Sequence, residues 1–111
     1  KEPISQTNMK LIDFGLARRA RDDEVMRSLV GTTFYVAPEV ALRSYTKVCE
    51  YWSCGVLMYL MLSGTLPFQG VNDRKVLEAI KEARYVLDGR LWDPVSEPAK
   101  CVLRRLLEKD P

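Results

Sequence analysis

The apolar positions are densest in the middle of the chain, where they predict one long helix over residues 47–63. Apolar residues fall on almost every face of this segment, and Thr46 is a plausible N-cap at its start. Gly64 and Pro67 follow the segment, and both residue types end helices. A helix that is apolar all round, yet too short to span a membrane, belongs in the middle of a core. We therefore predict that this central helix is the centre of the fold.

Two amphipathic helices are predicted after the central helix. The first spans residues 72–84, with apolar side chains on one stripe and Asn72 as the candidate cap. The second spans residues 96–108, with Ser96 as the cap and Pro98 tolerated in the first turn. Because each pattern has a single apolar stripe, each helix is expected to pack one face on the core.

The first third of the chain has little periodicity. Residues 9–12 become apolar and predict a short strand that delivers Asp13 at its end. Residues 16–30 are charged without a sustained period, which predicts a mobile loop. Pro38 then opens a short helix. The predicted fold class is therefore mainly α, with one short strand followed by a helical core.

Composition and charge indicate an ordinary globular unit. The chain has 111 residues, of which 47% are apolar and 29% are charged, enough for one small core. A net charge of +2 does not favour nucleic acid as a partner, and no apolar run is long enough to span a membrane. Cys49, Cys54 and Cys101 form neither a disulfide framework nor a zinc spacing, which favours an intracellular setting. The sequence has no histidine, so no imidazole base can act from within it.

Two short motifs carry the strongest functional signal. Asp13-Phe14-Gly15 is followed 22 residues later by Ala37-Pro38-Glu39, and a Gly-Thr-Thr-Phe-Tyr-Val sequence over 31–36 leads into the second motif. Either triplet alone recurs by chance, but in this order they match the two ends of a protein-kinase activation segment, here 13–39. Over nearly its whole length the chain thus resembles the eukaryotic protein kinases. Since a kinase domain is considerably longer, the resemblance implies a partial domain over 1–111, part of the large C-terminal lobe.

The resemblance assigns roles to the first motif. Asp13 is expected to hold Mg²⁺ against the ATP phosphates, because charge on the phosphoryl oxygens must be neutralised during transfer. Phe14 is expected to pack behind this metal site, and Gly15 to let the backbone turn. The alternative for a lone Asp-Phe-Gly is an ordinary turn, which the flanking match disfavours.

The residues before the second motif are expected to meet the substrate. Gly31-Thr32 resembles the loop that receives the substrate residue after the phosphoacceptor, with the Thr32 hydroxyl near the catalytic aspartate. The pattern Gly-Thr-x-x-Tyr-x-Ala-Pro-Glu is that of Ser/Thr kinases, and tyrosine kinases differ before Ala-Pro-Glu. Ser28 stands three residues before Gly31, where many kinases carry an activating phosphosite. A solvated loop serine is the alternative for Ser28.

Two acidic residues depend on partners that the resemblance implies. Glu39 pairs in the family with an arginine beyond a Leu-Leu-x-x-Asp-Pro stretch, here 106–111, so we expect it to be unpaired and partly buried. Glu50 replaces the usual aspartate in a motif that also contains Trp52 and Gly55, at the start of the central helix. In the family that aspartate bonds to backbone near the catalytic loop. Glutamate keeps the charge but has a longer side chain, so we expect it to support the backbone near the catalytic loop less firmly.

Three further stretches indicate a subfamily. Tyr45–Cys49, Leu60–Phe68 and Leu91–Lys100 resemble the calcium/calmodulin-dependent group, and most of all the calcium-dependent protein kinases of plants and protists. Such kinases carry calcium-binding EF-hand loops downstream. No Asp-x-Asp-x-Asp-Gly loop occurs in this sequence, so calcium is expected to act only indirectly, through loops outside it.

The resemblance implies an enzyme that transfers the γ-phosphoryl group of ATP to Ser or Thr hydroxyls. Its partners are expected to be protein substrates and the remainder of the kinase domain. The Gly-rich loop, the ATP-anchoring lysine and the catalytic aspartate do not occur in this sequence, so the 111 residues alone are expected to be inactive. The alternative is a truncated pseudokinase or a non-catalytic protein-binding module. Asp13 argues against this alternative, while Glu50 and the missing parts argue for it.

Overall fold

Four α-helices and one short 3₁₀ turn make up the regular structure of the described residues. The computed structural model describes residues 8, 10–15, 17–27 and 33–110. The 3₁₀ turn is Thr33–Tyr35, and the helices are α1 Pro38–Ala41, α2 Cys49–Ser63, α3 Asp73–Lys81 and α4 Glu97–Leu106. No sheet forms within the described residues, and the expected mainly helical fold is confirmed. Among the same residues, no helix has the length and apolar character needed to cross a membrane.

The short strand expected over 9–12 does not form in the part of it that is described. Lys10, Leu11 and Ile12 pair with no other described backbone segment, and the two apolar side chains are largely exposed. A strand exists only through hydrogen bonds to a neighbouring strand. The structure therefore corrects this part of the prediction, because a local apolar pattern cannot supply the neighbour.

The central helix is α2, and it begins two residues later than its pattern predicted. The Thr46 hydroxyl accepts a hydrogen bond from the Val48 amide at 3.4 Å, so it closes a turn before the helix instead of capping it. At the other end, Gly64 takes a left-handed backbone conformation (φ 76°) and its amide donates to the Leu60 carbonyl. This conformation suits glycine and ends the helix as the sequence predicted.

Only one face of α2 is buried. That face consists of Cys49, Trp52, Gly55, Val56 and Tyr59. Tyr51, Leu57 and Met61 lie on the exposed side of the same helix. The expectation of a helix buried all round is thus corrected, because the other described elements cover one side of it only.

A glycine lets α2 and α4 pack closely against each other. A Cβ atom at Gly55 would lie 2.9 Å from the Leu106 Cβ and 2.9 Å from the Leu107 Cδ2. Carbon atoms do not approach so closely without displacing their neighbours, since protein interiors are tightly packed. Gly55 therefore sets the distance between the two helices.

The core beside α2 is largely aromatic. Trp52 stacks on Phe68 with ring centroids 5.2 Å apart, and Tyr59 contacts Trp92 at 4.6 Å. Tyr85 meets Phe68 edge to face at 6.0 Å. Aromatic pairs of this kind stabilise a core beyond the area that they bury. They fix α2 to the two connecting segments that precede α3 and α4.

Side-chain caps begin both later helices. Asn72 and Ser96 each accept a hydrogen bond from the backbone of the first turn, at 3.0 Å and 3.3 Å respectively. Helix α3 ends at Lys81, three residues before the expected end, because Ala83 adopts a left-handed conformation (φ 51°) that reverses the chain. Helix α4 ends at Leu106, two residues before its expected end.

Residues 16–30 are expected from their sequence to form a mobile loop, but Met26 in this segment is fixed to the core. Met26 and Tyr45 form an antiparallel bridge, with N–O distances of 2.6 Å and 3.1 Å, and both side chains are buried. The bridge ties the segment to the chain shortly before α2. An isolated pair of residues leaves no periodic pattern, so the sequence could not predict it.

Candidate functional site

Asp13 lies in an exposed loop with its backbone in the left-handed region (φ 63°). This conformation is uncommon for residues other than glycine, although aspartate adopts it more readily than most, and it recurs at functional sites. The turn that follows is closed by the Ala17 amide, which donates to the Phe14 carbonyl at 3.1 Å. The carboxylate therefore lies at the surface, where a ligand can reach it.

Phe14 and Gly15 complete the first motif. The Phe14 side chain is 68% exposed, so its packing behind a metal site has no counterpart among the described residues and stays a prediction. Gly15 lies in the turn without a positive φ. A Cβ atom at Gly15 would lie 3.5 Å from an Asp13 carboxylate oxygen, which is an ordinary contact. In this arrangement the glycine is not needed to make room for Asp13.

The Asp13 carboxylate fits a magnesium ion as one ligand among several. Phosphoryl-transfer sites hold Mg²⁺ through one or two carboxylates, together with phosphate oxygens and waters. Within the described ranges, no group of three or more side chains that could hold a metal is brought together. Asp13 can therefore supply one ligand of such a site.

Ion pairs stabilise residues 18–24, which follow the first motif. Glu24 pairs with Arg18, and its second carboxylate oxygen accepts from the Arg21 amide at 3.2 Å. Asp22 pairs with Lys47, whose hydrogen bond and positive charge lower the pKa of the Asp22 carboxyl. Exposed pairs of this kind are individually weak. Together they pair the Arg18 side chain within the segment and connect the segment, through Lys47, to the residues just before α2.

Three predicted site residues, Ser28, Gly31 and Thr32, lie outside the described residues. The 3₁₀ turn Thr33–Tyr35 follows them directly in the sequence. The Ser53 hydroxyl of α2 donates to the Tyr35 carbonyl oxygen at 2.8 Å, across 18 residues of sequence. Sequence reasoning missed this contact, because a serine on an apolar helix carries no signal of a distant partner.

The second motif opens α1 and leaves a carboxylate oxygen without a partner. Ala37 and Pro38 are buried, and the Oε2 atom of Glu39 is buried with no hydrogen-bond partner in the described part of the chain. The Trp52 indole nitrogen is in the same situation. Both side chains line a cavity of about 470 Å³ that Arg105 also lines. Buried polar atoms are normally hydrogen-bonded, so two of the residues that line this cavity each carry an unsatisfied polar atom among the described residues.

Glu50 lies in the first turn of α2 with an exposed side chain. Its negative charge is favourable there, because the N-terminus of a helix carries a partial positive charge. The backbone contact expected of Glu50 is not made to any described residue and stays a prediction.

Burial, together with the charges of Glu50 and Glu39, raises the pKa of the Cys49 thiol to about 11. Cys49 is therefore protonated at neutral pH and is not a candidate nucleophile.

We expect Glu39→Gln to raise the free energy of unfolding of the 111-residue chain by about 1 kcal/mol. The substitution keeps the shape of the side chain and removes a charge whose buried Oε2 atom has no hydrogen-bond partner among the described residues. Urea unfolding followed by circular dichroism measures the change. Glu108→Gln removes the same charge from an exposed position at the same cavity and should change stability by less than about 0.5 kcal/mol. A loss of stability in Glu39→Gln would contradict the prediction.

Known proteins share sequence with almost the whole chain. A family model described as protein kinase domain matches residues 4–111. Calcium-dependent protein kinase 29 of Arabidopsis thaliana is 42% identical over 103 residues, which are 93% of this chain and 19% of that protein. Calcium-dependent protein kinase 3 of Plasmodium berghei is 40% identical over 107 residues, 96% of this chain and 19% of that protein. A CDPK-related protein kinase of Daucus carota is 39% identical over 111 residues, 100% of this chain and 18% of that protein. The chain thus spans about one fifth of the length of these relatives.

Proposed function

Since this chain belongs to the protein kinase domain family, we propose that it is part of a longer Ser/Thr protein kinase. The longer protein transfers the γ-phosphoryl group of ATP to Ser or Thr hydroxyls of protein substrates. The observation that carries the proposal is Asp13, exposed and left-handed at the start of the segment that Ala37-Pro38-Glu39 ends. The similar proteins are named calcium-dependent protein kinases, which supports the same reaction.

Asp13 is the proposed magnesium ligand of this enzyme. Mg²⁺ bound with ATP supplies positive charge that neutralises the phosphoryl oxygens. The Asp13 carboxylate suits this task because it is exposed at the surface, on a residue with a left-handed backbone conformation. Phe14 and Gly15 flank it as the remaining parts of the same motif.

The chain between the two motifs is the proposed substrate side of the site. Gly31-Thr32 receives the substrate residue after the phosphoacceptor, and Ser28 is the proposed regulatory phosphosite. The turn Thr33–Tyr35 supports this placement, because it is partly exposed and is tied to α2 through Ser53. Ala37 and Pro38 are buried at the start of α1 and fix the end of the segment.

The 111 residues alone are proposed to lack kinase activity. Their sequence contains neither the Gly-rich loop nor the ATP-anchoring lysine nor the catalytic aspartate of the family. The remainder of the kinase domain is therefore the first partner of this chain. Calcium is proposed to act indirectly, through EF-hand loops elsewhere in the longer protein, and the names of the similar proteins support this regulation.

Transfer of label from γ-labelled ATP tests the proposal. The longer protein and the 111-residue chain are each incubated with Mg²⁺ and peptides that differ only in a Ser, Thr, Tyr or Ala phosphoacceptor. We expect label on the Ser and Thr peptides with the longer protein, and none with the chain alone. Label on the Tyr peptide only would overturn the Ser/Thr specificity. No transfer by the longer protein would favour a non-catalytic protein-binding module.

A calcium chelator tests the proposed regulation. We expect the longer protein to lose phosphoryl transfer when the chelator removes calcium.

A further inference from the structure

Ser53 forms a hydrogen bond that links two distant parts of the chain. Its Oγ atom donates to the Tyr35 carbonyl oxygen, 2.8 Å away and 18 residues earlier in the sequence. The bond is partly buried, so water competes with it less than at the surface. Serine is neutral to unfavourable in the interior of a helix. The hydrogen bond to Tyr35 is therefore the contribution of this side chain, and it is made to the turn and not to α2 itself.

Within the described residues, the hydrogen bond that closes the turn next to Tyr35 is a long one. Tyr35 is the last residue of the 3₁₀ turn Thr33–Tyr35, which packs against α2 and α3. The Val36 amide donates to the Thr33 carbonyl at 3.4 Å, which is long for a hydrogen bond. Short 3₁₀ turns also have poorer hydrogen-bond geometry than α-helices. A fixed donor from outside the turn thus has a large share in setting its position.

The helix that carries Ser53 is rigid at this point. The neighbouring Trp52 is 3% exposed and stacks on Phe68, and Val56 is completely buried. A side chain on a well-packed helix positions a functional group more accurately than one on a loop. Ser53 therefore holds the turn in place, and the turn does not hold Ser53.

We propose that Ser53 is a positioning residue for the protein substrate. It fixes the turn Thr33–Tyr35, which lies between the two kinase motifs on the proposed substrate side of the site. This inference rests on the proposed kinase function. It gives Ser53 no contact with ATP or with the reacting atoms. Loss of the hydroxyl should weaken the binding of peptide substrate and leave the binding of ATP unchanged.

Steady-state kinetics of the longer protein with a Ser-containing peptide test this role. We expect Ser53→Ala to raise the peptide KM about threefold to tenfold, the factor that one ordinary hydrogen bond contributes. The ATP KM and kcat should stay within about twofold of wild type. Ser53→Thr keeps the hydroxyl and should restore the peptide KM. Ser63→Ala is the matched control, because Ser63 lies on the same helix and donates at 2.8 Å to the Tyr59 carbonyl, at the other end of α2 from Ser53.

Hydrogen exchange at the amides of residues 33–37 gives a second readout that does not depend on activity. Exchange should be faster in Ser53→Ala than in wild type, and unchanged in Ser63→Ala. An unchanged peptide KM overturns the role, as does a raised KM without faster exchange. A parallel rise of the peptide and ATP KM, or failure of Ser53→Thr to restore binding, indicates a general structural role and overturns it too. A wild-type protein without phosphoryl transfer overturns the proposed function, and the role of Ser53 with it.

Discussion

Replacing Asp13 with alanine in the longer protein should lower kcat/KM for phosphoryl transfer by about two to four orders of magnitude. A carboxylate that holds the metal contributes several kcal/mol of charge stabilisation in the transition state. Since about 1.4 kcal/mol corresponds to a factor of ten in rate, the loss should be large. Asp13 is exposed, so the same substitution should change the stability of the fold very little.

Two further variants test whether Asp13 acts as a metal ligand or whether the loss of any exposed aspartate lowers activity. Asp13→Asn keeps the size of the side chain and removes its charge, so it should lose nearly as much activity and require more Mg²⁺. Binding of ATP measured without Mg²⁺ should be unchanged in this variant, because Asp13 acts through the metal. Asp93→Ala removes another exposed aspartate, in the turn before α4, and should keep activity within about twofold. Undiminished transfer by Asp13→Ala would remove Asp13 from the proposed metal site.

The helical part of the fold could be predicted because its signals are local. Asn72 and Ser96 cap helices with their own side chains, and Gly64 ends α2 through its own backbone conformation. Features that join distant residues could not be predicted in this way. The strand expected before Asp13 needed a neighbour that a local pattern cannot specify, and the Met26 bridge left no pattern at all.

For the candidate site too, residue types could be predicted from the sequence, whereas the contacts and backbone conformations could not. The motif around Asp13 could be recognised from residue types and spacing, but its left-handed backbone could not. The expectation that Glu39 is unpaired came from residue types, whereas the burial of its Oε2 atom, which has no hydrogen-bond partner among the described residues, is a matter of geometry. The orphan indole nitrogen of Trp52 and the hydrogen bond of Ser53 depend on how helices and turns meet. Such contacts depend on how distant parts of the chain pack together, which cannot be inferred from a short stretch of sequence.

The largest stability change that we expect from one substitution is at Trp52. Trp52→Ala should lower the free energy of unfolding of the 111-residue chain by about 3–5 kcal/mol. The indole ring is 3% exposed, stacks on Phe68 and lies on the buried face of α2. Its removal loses the transfer free energy of a large apolar side chain and leaves a cavity between α2 and the segment before α3. Small domains have only about 5–15 kcal/mol of stability in total, so the loss is a large fraction.

Urea unfolding followed by far-ultraviolet circular dichroism measures this change without depending on tryptophan fluorescence. Tyr51→Ala is the matched control, because Tyr51 is the preceding residue of the same helix and is 63% exposed. It should cost less than about 0.5 kcal/mol. Trp52→Phe retains an aromatic ring against Phe68 and removes the unsatisfied indole N–H, so it should lose less than half as much stability as the alanine variant. Equal losses in Trp52→Ala and Tyr51→Ala would mean that the aromatic stack does not hold α2, and the rigid support inferred for Ser53 would then fail as well.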